Sequence, residues 1–349
     1  MINTNELITS FYEFIRSNGY KIVERSNLIS PYFKGEFNLS GAHSYLIPAV
    51  QNNSKVELDT IGVVDLVVRN VDAEIIGISN SHLLLFEMGV FGSFGYVEDL
   101  FFEEKKQLKI LFEYFETIGI ITSEIYITIC GGDNYLNEDY GPDEKSKNAL
   151  IEVGFNTNNI IITKGRRNFM LSKGIDRLAG YNIEFFVKKN GIFIEIASSN
   201  IYKYLNKLTH LKETINNGIG CGVGFERLSF VLNDTIDIYD IAPFNIIIDE
   251  VKSSFKFSEV DFDIIKSKIF RLAEITKAII FIVNDGIIVD KTQQGKKLNK
   301  YIAKVKSELN YLSLNPNDFT EIVHSVLKSY YKRYSFQDSK LEYVKNKFK

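Results

Sequence analysis

The chain has 349 residues, a hydrophobic fraction of 45% and a formal net charge of −3. This length allows a large buried core and predicts two domains. No apolar run is long enough to cross a membrane and no basic–apolar leader opens the chain, so we predict a cytoplasmic protein without a membrane partner. Two cysteines and four histidines without metal-ligand spacing predict neither a disulfide framework nor a histidine–cysteine metal site.

The first part of the chain predicts strands with helices gathered around them. A hairpin is predicted over residues 185–197, because Asn190-Gly191 at its tip is a strong turn signal. Strands joined by hairpins and longer excursions favour an antiparallel α+β sheet. Hydrophobic spacing predicts helices at residues 5–18 and 99–119, and strands at 63–68, 83–88 and 125–130.

The remainder of the chain predicts a smaller, all-α domain. Ile265, Ile269, Leu272 and Ile275 form a stripe at helical spacing, and further helical segments follow. We therefore predict a first domain over residues 1–250 and a second over 251–349. Tyrosines and basic residues are interleaved over 328–333; they either follow a nucleic-acid backbone or form the solvated face of an ordinary helix.

Glycine stands at every second position from Gly218 to Gly224, and Glu226 and Arg227 follow. Alternating glycines clear one face of an extended segment, so another backbone or a flat ligand can approach closely. Arg227 opens a predicted helix, where a guanidinium suits a phosphate or a planar base. A glycine-rich turn before a core helix would explain the run equally well if it stood alone.

A second constellation upstream fits the same kind of ligand. Arg69 ends one predicted strand, and Phe86-Glu87 lies on the next. This strand–loop–strand layout resembles motif 2 of the class II aminoacyl-tRNA synthetases, and the glycine run with Glu226-Arg227 resembles their motif 3. Arg69-Asn-Val-Asp72, Gly77, His82 and Phe86-Glu-Met88 in this order resemble the catalytic domain of the alanyl-tRNA synthetases, especially the archaeal ones. Further resemblances lie at 36–45, 179–184, 194–198 and 271–286.

The resemblance implies a class II synthetase-type antiparallel sheet flanked by helices, followed by the smaller all-α domain. It also implies ATP as cofactor and two catalytic arginines, Arg69 and Arg227. Arg69 would hold the α-phosphate and the amino-acid carboxylate, while His82 would reach the phosphate tail and Phe86 would stack on adenine. The implied ATP site comprises Arg69, Asp72, His82, Phe86, Gly222, Gly224, Glu226 and Arg227.

The resemblance further implies a Mg²⁺ site at Glu195 and Ser198, since Mg²⁺ takes oxygen ligands and often only one or two from protein. Glu184, Ser198 and Gly220 are the implied amino-acid-binding residues. Gly220 stands where the family has an aspartate that binds the substrate amino group. Either Glu184 takes over that group, or the substrate is not an ordinary α-amino acid. Two further departures are Ser81, in place of an arginine, and Glu274 to Lys277, in place of Asp-His-x-Arg.

The function implied is activation of a small amino acid with ATP and transfer of the adenylate to an acceptor, which is tRNA by resemblance. A carrier protein or a small metabolite is an alternative acceptor, and a non-catalytic nucleotide-binding paralogue is an alternative function. Because the chain stops at Lys349, we predict a truncated, stand-alone paralogue that lacks the family's editing domain and does not edit.

Overall fold

The computed structural model describes residues 2–33, 35–70, 73–136, 138–165, 167–171, 174–255 and 259–348. No helix within these ranges has the length and apolar character needed to cross a membrane. The strands are β1 (Lys21–Ile22), β2 (Asp59–Val68), β3 (Leu85–Gly95), β4 (Tyr126–Cys130), β5 (Asp133–Tyr135), β6 (Glu138–Tyr140), β7 (Ile160–Thr163), β8 (Phe169–Leu171), β9 (Arg177–Lys189), β10 (Ile192–Asn206) and β11 (Leu211–Gly224). The helices are α1 (Thr4–Ser17), α2 (His43–Gln51), α3 (Leu100–Thr117), α4 (Glu144–Val153), α5 (Phe225–Leu232), α6 (Phe244–Phe255), α7 (Glu259–Asn284), α8 (Gln293–Tyr311), α9 (Pro316–Tyr330) and α10 (Asp338–Asn346).

Among the described residues, nine strands form one sheet in the order β1-β2-β3-β11-β10-β9-β4-β7, with β8 pairing with β9. The central pairs are antiparallel, whereas β1 pairs with β2 and β4 with β7 in parallel at the two ends of the sheet. The helices of the C-terminal part follow this sheet in the chain. The predicted α+β class and its antiparallel sheet are therefore confirmed.

The first helix illustrates how local sequence specifies an element. Asn3 caps α1, because its side chain accepts a hydrogen bond from the Glu6 N–H while the Glu6 carboxylate accepts one from the Asn3 N–H, each at 3.0 Å. Leu7, Phe11 and Ile15 are buried at helical spacing. The predicted helix at 5–18 is thereby confirmed, with both ends one residue earlier.

The β9–β10 hairpin carries Asn182, Glu184, Glu195, Ser198 and Asn200, which line the cavities described below. Asn190 and Gly191 adopt positive φ angles of 51° and 81°, as a tight hairpin turn requires. The pairing shifts register between Glu195 and Ala197 and again between Tyr202 and Tyr204. Each shift marks a β-bulge, which changes the face to which the following side chains point.

Charged groups of the C-terminal helices hold the beginning of β3. Glu274 Oε1 accepts hydrogen bonds from the backbone N–H groups of Leu84 and Leu85 at 2.8 and 2.9 Å. Lys277 Nζ donates to the carbonyl of Leu85 at 2.6 Å and lies 2.7 Å from Glu274 Oε2. Both side chains are fully buried. Glu274 and Lys277, two of the residues that depart from the family pattern, thus join α7 to a strand of the sheet.

A second ionic contact lies two residues further along β3, at Glu87. The Arg333 guanidinium pairs with the buried Glu87 carboxylate, with Nη2 2.7 Å from Oε2, and the Tyr334 hydroxyl donates to the same carboxylate at 2.5 Å. Tyr330 is buried as well. The idea that Tyr330 and Arg333 follow a nucleic-acid backbone is therefore wrong, because both are engaged inside the protein. The predicted domain boundary after residue 250 falls within α6 and stays a prediction.

Candidate active site

The alternating glycines of β11 form part of the floor of a cleft. Gly220 lies opposite Asn200 on one side and Gly92 on the other, and Gly222 lies opposite Ser198. A Cβ built on Gly222 would have only ordinary contacts, the nearest at 3.6 Å, whereas one built on Gly218 would lie 2.1 Å from the Leu46 side chain. Gly218 therefore makes room for α2, and Gly220 and Gly222 leave space beside the cavities.

Two adjoining cavities lie on this floor. The smaller has a volume of about 50 Å³ and the larger about 340 Å³. The smaller is lined by Arg69, Ser81, Leu83, Phe86, Met88, Glu195, Ile196, Ala197, Ser198, Gly222, Gly224, Glu226 and Arg227. The larger includes Arg69, Glu184, Glu195, Ser198, Gly220 and Gly222, together with residues that the sequence did not single out. Arg69, Met88, Glu195, Ser198 and Gly222 line both cavities.

Arg69 stands at the junction of the two cavities. It directly follows β2, and its backbone N–H donates to the carbonyl of Leu84 at 2.8 Å, which closes the β2–β3 ladder. Its side chain is exposed and contributes to both cavity walls. A permanently charged guanidinium here can contact an anion in either cavity.

Arg227 is fixed at the edge of the smaller cavity. Its Nε donates to the carbonyl of Ser81 at 3.0 Å, and its Nη1 donates to the backbone carbonyl and the carboxylate of Glu195 at 3.1 and 3.0 Å. In the part of the chain that the structure describes, Nη2 makes no hydrogen bond. Two donors and one planar face of the guanidinium therefore stay available for a ligand.

Glu195 and Ser198 share one face of β10 although they are three residues apart. In a regular strand such residues point to opposite faces, but the bulge between Glu195 and Ala197 reverses the alternation. Both side chains line the two cavities. One carboxylate and one hydroxyl fit a Mg²⁺ ion that takes its other ligands from phosphate and water. Among the described residues, no group of three or more histidine, cysteine, aspartate or glutamate side chains is arranged so that it could hold a metal ion.

The structure brings some of the remaining predicted ATP-site residues to the smaller cavity, but not all of them. Phe86 and Gly224 line the smaller cavity. Glu226 does so too, but both of its carboxylate oxygens accept from the Glu87 N–H at 3.1 Å, which makes it a residue that positions β3. His82 is not among the cavity residues, and its Nδ1 lies 2.6 Å from Ser79 Oγ. Asp72 lies outside the described residues.

Glu184 supplies a carboxyl group to the larger cavity. It lies opposite Ser198 in the β9–β10 ladder, and the Thr128 hydroxyl donates to it at 3.1 Å. Burial raises the pKa of Glu184 above its usual value, and the negative charge of Glu195 raises it further. The Thr128 hydrogen bond and the charges of Arg167 and Arg69 act in the opposite direction on this pKa.

A row of amide side chains in the larger cavity escaped the sequence reasoning. Asn182 Nδ2 donates to Asn200 Oδ1 at 2.8 Å, and Asn200 Nδ2 donates to Ser198 Oγ at 3.3 Å. The buried Asn168 bonds to Asn182 Oδ1 at 3.4 Å and to Thr128 Oγ1 at 2.9 Å. The Asn190-Gly191 turn could have pointed to them, because the residue pairs of the two strands can be counted outward from it. Such a count misplaces the pairs beyond the bulge by one residue.

Comparison with known proteins identifies the family. The family model described as tRNA synthetases class II (A) matches residues 6–349. The chain is 25% identical to the alanine–tRNA ligase of Candida albicans; the match covers 69% of this chain and 27% of that protein. It is 22% identical to the alanine–tRNA ligase of Malacoplasma penetrans, and this match covers 100% of this chain and 39% of that protein. The structure is also similar to the apo histidyl-tRNA synthetase of S. aureus, at 14% identity and a TM-score of 0.42, covering 65% of this chain and 64% of that one. Since the family model covers nearly the whole chain, the protein belongs to the class II (A) tRNA synthetases.

Proposed function

We propose that this protein activates an amino acid with ATP, forming an aminoacyl-adenylate and pyrophosphate. The observation that carries the proposal is the shared wall of the two cavities. Arg69, Glu195 and Ser198 line both, so a nucleotide in the smaller cavity and an amino acid in the larger would meet at these groups. Family membership supports the same assignment.

In this reaction a carboxylate oxygen of the amino acid bonds to the α-phosphorus of ATP. The bond between that phosphorus and the bridging oxygen of the β-phosphate breaks, and pyrophosphate leaves with the electron pair. The enzyme's work is to hold two anions in line and to stabilise the charge that develops on the α-phosphate. Arg69 would contact both anions, which is supported by its position in the walls of both cavities.

Arg227 would hold the nucleotide from the opposite wall. Its guanidinium is fixed by Ser81 and Glu195 on one side, which leaves its planar face for adenine or its Nη2 donors for the γ-phosphate. Phe86 lines the same cavity and offers an aromatic face for adenine. Together with Gly222 and Gly224, these residues form the nucleotide site that we propose.

Glu195 and Ser198 would hold Mg²⁺ when ATP is bound, and the ion would neutralise part of the phosphate charge. Glu195 is partly exposed and pairs with Arg227 at 3.0 Å. The same carboxylate can therefore orient Arg227 and face a cation from the cavity. Gly220 offers no side chain for the substrate amino group, and Glu184 is the carboxyl group of the larger cavity that we assign to it.

The acceptor that we propose for the activated amino acid is tRNA. The support is family membership and the similarity to alanine–tRNA ligases. The chain spans only 27% to 39% of the two curated relatives compared above, so the activity and partners of those whole proteins enter here as a proposal alone.

The decisive experiment is ATP–pyrophosphate exchange with each proteinogenic amino acid in turn, followed by aminoacylation of total tRNA with those that respond. We expect exchange that depends on Mg²⁺ and on an amino acid. ATP binding by calorimetry without exchange for any amino acid would instead identify a non-catalytic nucleotide-binding protein. Exchange without tRNA charging would contradict the proposed acceptor only.

A further inference from the structure

The larger cavity has a polar floor made of two successive rows of the sheet. In the first row, Glu184 lies opposite Ser198, which lies opposite Gly222. In the second row, Asn182 lies opposite Asn200, which lies opposite Gly220. All six residues line the cavity. Because both rows end in a glycine, the polar side chains of β9 and β10 border open space.

The second row lies beyond the reach of a methyl side chain. Two residues along a strand span about 6.6 Å, so the asparagine row lies about that far from the Ser198 row. The cavity volume of about 340 Å³ is also large for alanine, since a cavity of ~150 Å³ already holds a benzene molecule. A substrate with its carboxylate near Arg69 therefore needs a longer side chain to reach Asn200.

The second row offers hydrogen-bond donors and acceptors together. Asn182 and Asn200 each use one N–H of the side-chain amide in a hydrogen bond among the described residues, so each has a second N–H to donate. Their carbonyl oxygens can accept another bond as well. A carboxamide presents the matching set, one carbonyl oxygen and one NH₂ group, with no charge.

The charges near this row favour a neutral partner. Glu184 and Arg167 line the same cavity with opposite charge, and Glu195 is already paired with Arg227. The cavity wall therefore carries charges of both signs, and an ionised side chain would lose hydration on entering, whereas a carboxamide carries no charge to desolvate. Tyr202, Leu46 and Phe94 add hydrophobic surface to the cavity wall.

We propose that Asn182 and Asn200 are specificity-determining residues that select an α-amino acid with a carboxamide side chain, asparagine or glutamine, over alanine. The inference rests on the proposed amino-acid activation, since it names the substrate class of that same site. Asn168 acts as a positioning residue, because it holds the Asn182 amide from behind.

The test is the binding of sulfamoyl-adenosine analogues of the adenylates, measured by calorimetry with the full-length protein. The set comprises the alanyl, asparaginyl, glutaminyl, glutamyl and lysyl analogues. We expect one carboxamide analogue to bind at least ~100-fold more tightly than the alanyl analogue, because a site built to hydrogen-bond a substrate group strongly rejects one that lacks it. Equal or tighter binding of the alanyl, glutamyl or lysyl analogue would overturn the inference.

Variants connect the preference to the two asparagines. In Asn200→Val and, separately, Asn182→Ala, we expect the carboxamide analogue to bind about tenfold more weakly or worse, the effect of a lost hydrogen bond. The alanyl analogue should lose less affinity, so the preference for the carboxamide analogue should fall in both variants. Asn158→Ala, at an exposed position, is the matched control, and thermal unfolding verifies that each variant is folded. An unchanged preference in both folded variants would contradict the assignment.

The outcomes separate this inference from the proposed function. Exchange with alanine and tight binding of the alanyl analogue would leave amino-acid activation standing and remove the carboxamide specificity alone. Absence of exchange with every amino acid, together with no binding of any analogue, would remove both.

Discussion

The two sides of the candidate site differ in how they are held in place. On the side of the smaller cavity, where we propose that the nucleotide binds, buried charged groups hold β3: Glu274 and Lys277 bind backbone groups at its beginning and Arg333 binds Glu87. On the side of the larger cavity, the proposed amino-acid side, neutral hydrogen bonds through Asn168 and Asn182 form the support.

The two sides also differ in how closely their residues match the family pattern. The arginines, the aromatic residue and the acid that the resemblance implies around ATP line the smaller cavity. In contrast, the amino-acid side has Gly220 where an aspartate is expected and an asparagine pair that no motif indicated. Ser81, another departure from the family pattern, lines the smaller cavity, so the two sides differ mainly in the asparagine pair and Gly220.

The largest effect on stability is expected when the buried ion pair that holds the beginning of β3 is broken. Lys277→Met leaves the Glu274 carboxylate buried without its ion-pair partner, which costs about 3–5 kcal/mol of unfolding free energy. Urea unfolding measures this loss. The double variant with Glu274→Gln should recover part of it, since replacing both partners of a buried pair is far less destabilising than removing one.

Lys109→Met, at a side chain that is 69% exposed, is the matched control and should unfold near the parent midpoint. An equal midpoint for Lys277→Met would show that the buried pair contributes nothing to the attachment of α7 to β3. The contrast between charged and neutral support would then fail.

The next effect concerns catalysis at the junction of the two cavities. Arg69→Ala should reduce amino-acid activation by about 2–4 kcal/mol, because it removes a charge-assisted contact that strengthens in the transition state. The loss should be similar for every amino acid that supports exchange, since the proposed contacts of Arg69 are to the carboxylate and the α-phosphate, which all of these reactions share. Arg69→Lys keeps the charge without the planar fork and should recover only part of the rate. Unchanged exchange in Arg69→Ala would contradict its catalytic role.

A pH effect is expected from the buried Glu226. Burial, together with the charge of Glu87, raises its pKa from an ordinary value of 4.5 to about 8. Between pH 4.5 and 8 the folded protein therefore binds more protons at this group than the unfolded chain, so stability falls as pH rises, by at most ~1.4 kcal/mol per pH unit. Glu226→Gln should flatten this decline when urea unfolding is measured from pH 5 to 8. Glu213→Gln, at an exposed side chain, should keep the parent slope, and an equal slope in Glu226→Gln would contradict the raised pKa.

The smallest expected effect on stability is at the glycine floor. A Cβ at Gly222 would meet its nearest atom at 3.6 Å, an ordinary contact, whereas one at Gly220 would lie 3.2 Å from the carbonyl oxygen of Phe91. Gly222→Ala should therefore change the unfolding free energy by less than about 1 kcal/mol while raising the KM of a ligand that lies on the floor. Gly220→Ala should destabilise more. The reverse order in thermal unfolding would indicate that Gly222 serves packing instead of ligand access.

Much of the fold was accessible from the sequence because its signals are local. The cap at Asn3, the apolar stripe of α1 and the Asn190-Gly191 turn each specify an element within a few residues. The nucleotide-side candidates were accessible for a similar reason. Arg69, Phe86 and Arg227 stand beside strand and helix ends that hydrophobic patterning reveals, and the resemblance supplied their proposed roles.

Side-chain partners and register were decided only by the tertiary structure. Counting outward from the turn pairs Asn182 with Ser199; the bulge near Ile196 shifts the register by one residue and places Asn182 opposite Asn200. The same bulge puts Glu195 and Ser198 on one face, which their spacing alone does not predict. Arg333 is a surface cation by composition, yet it binds Glu87 across 246 residues of chain. Such contacts depend on how distant segments pack, and this information is absent from any local pattern of residues.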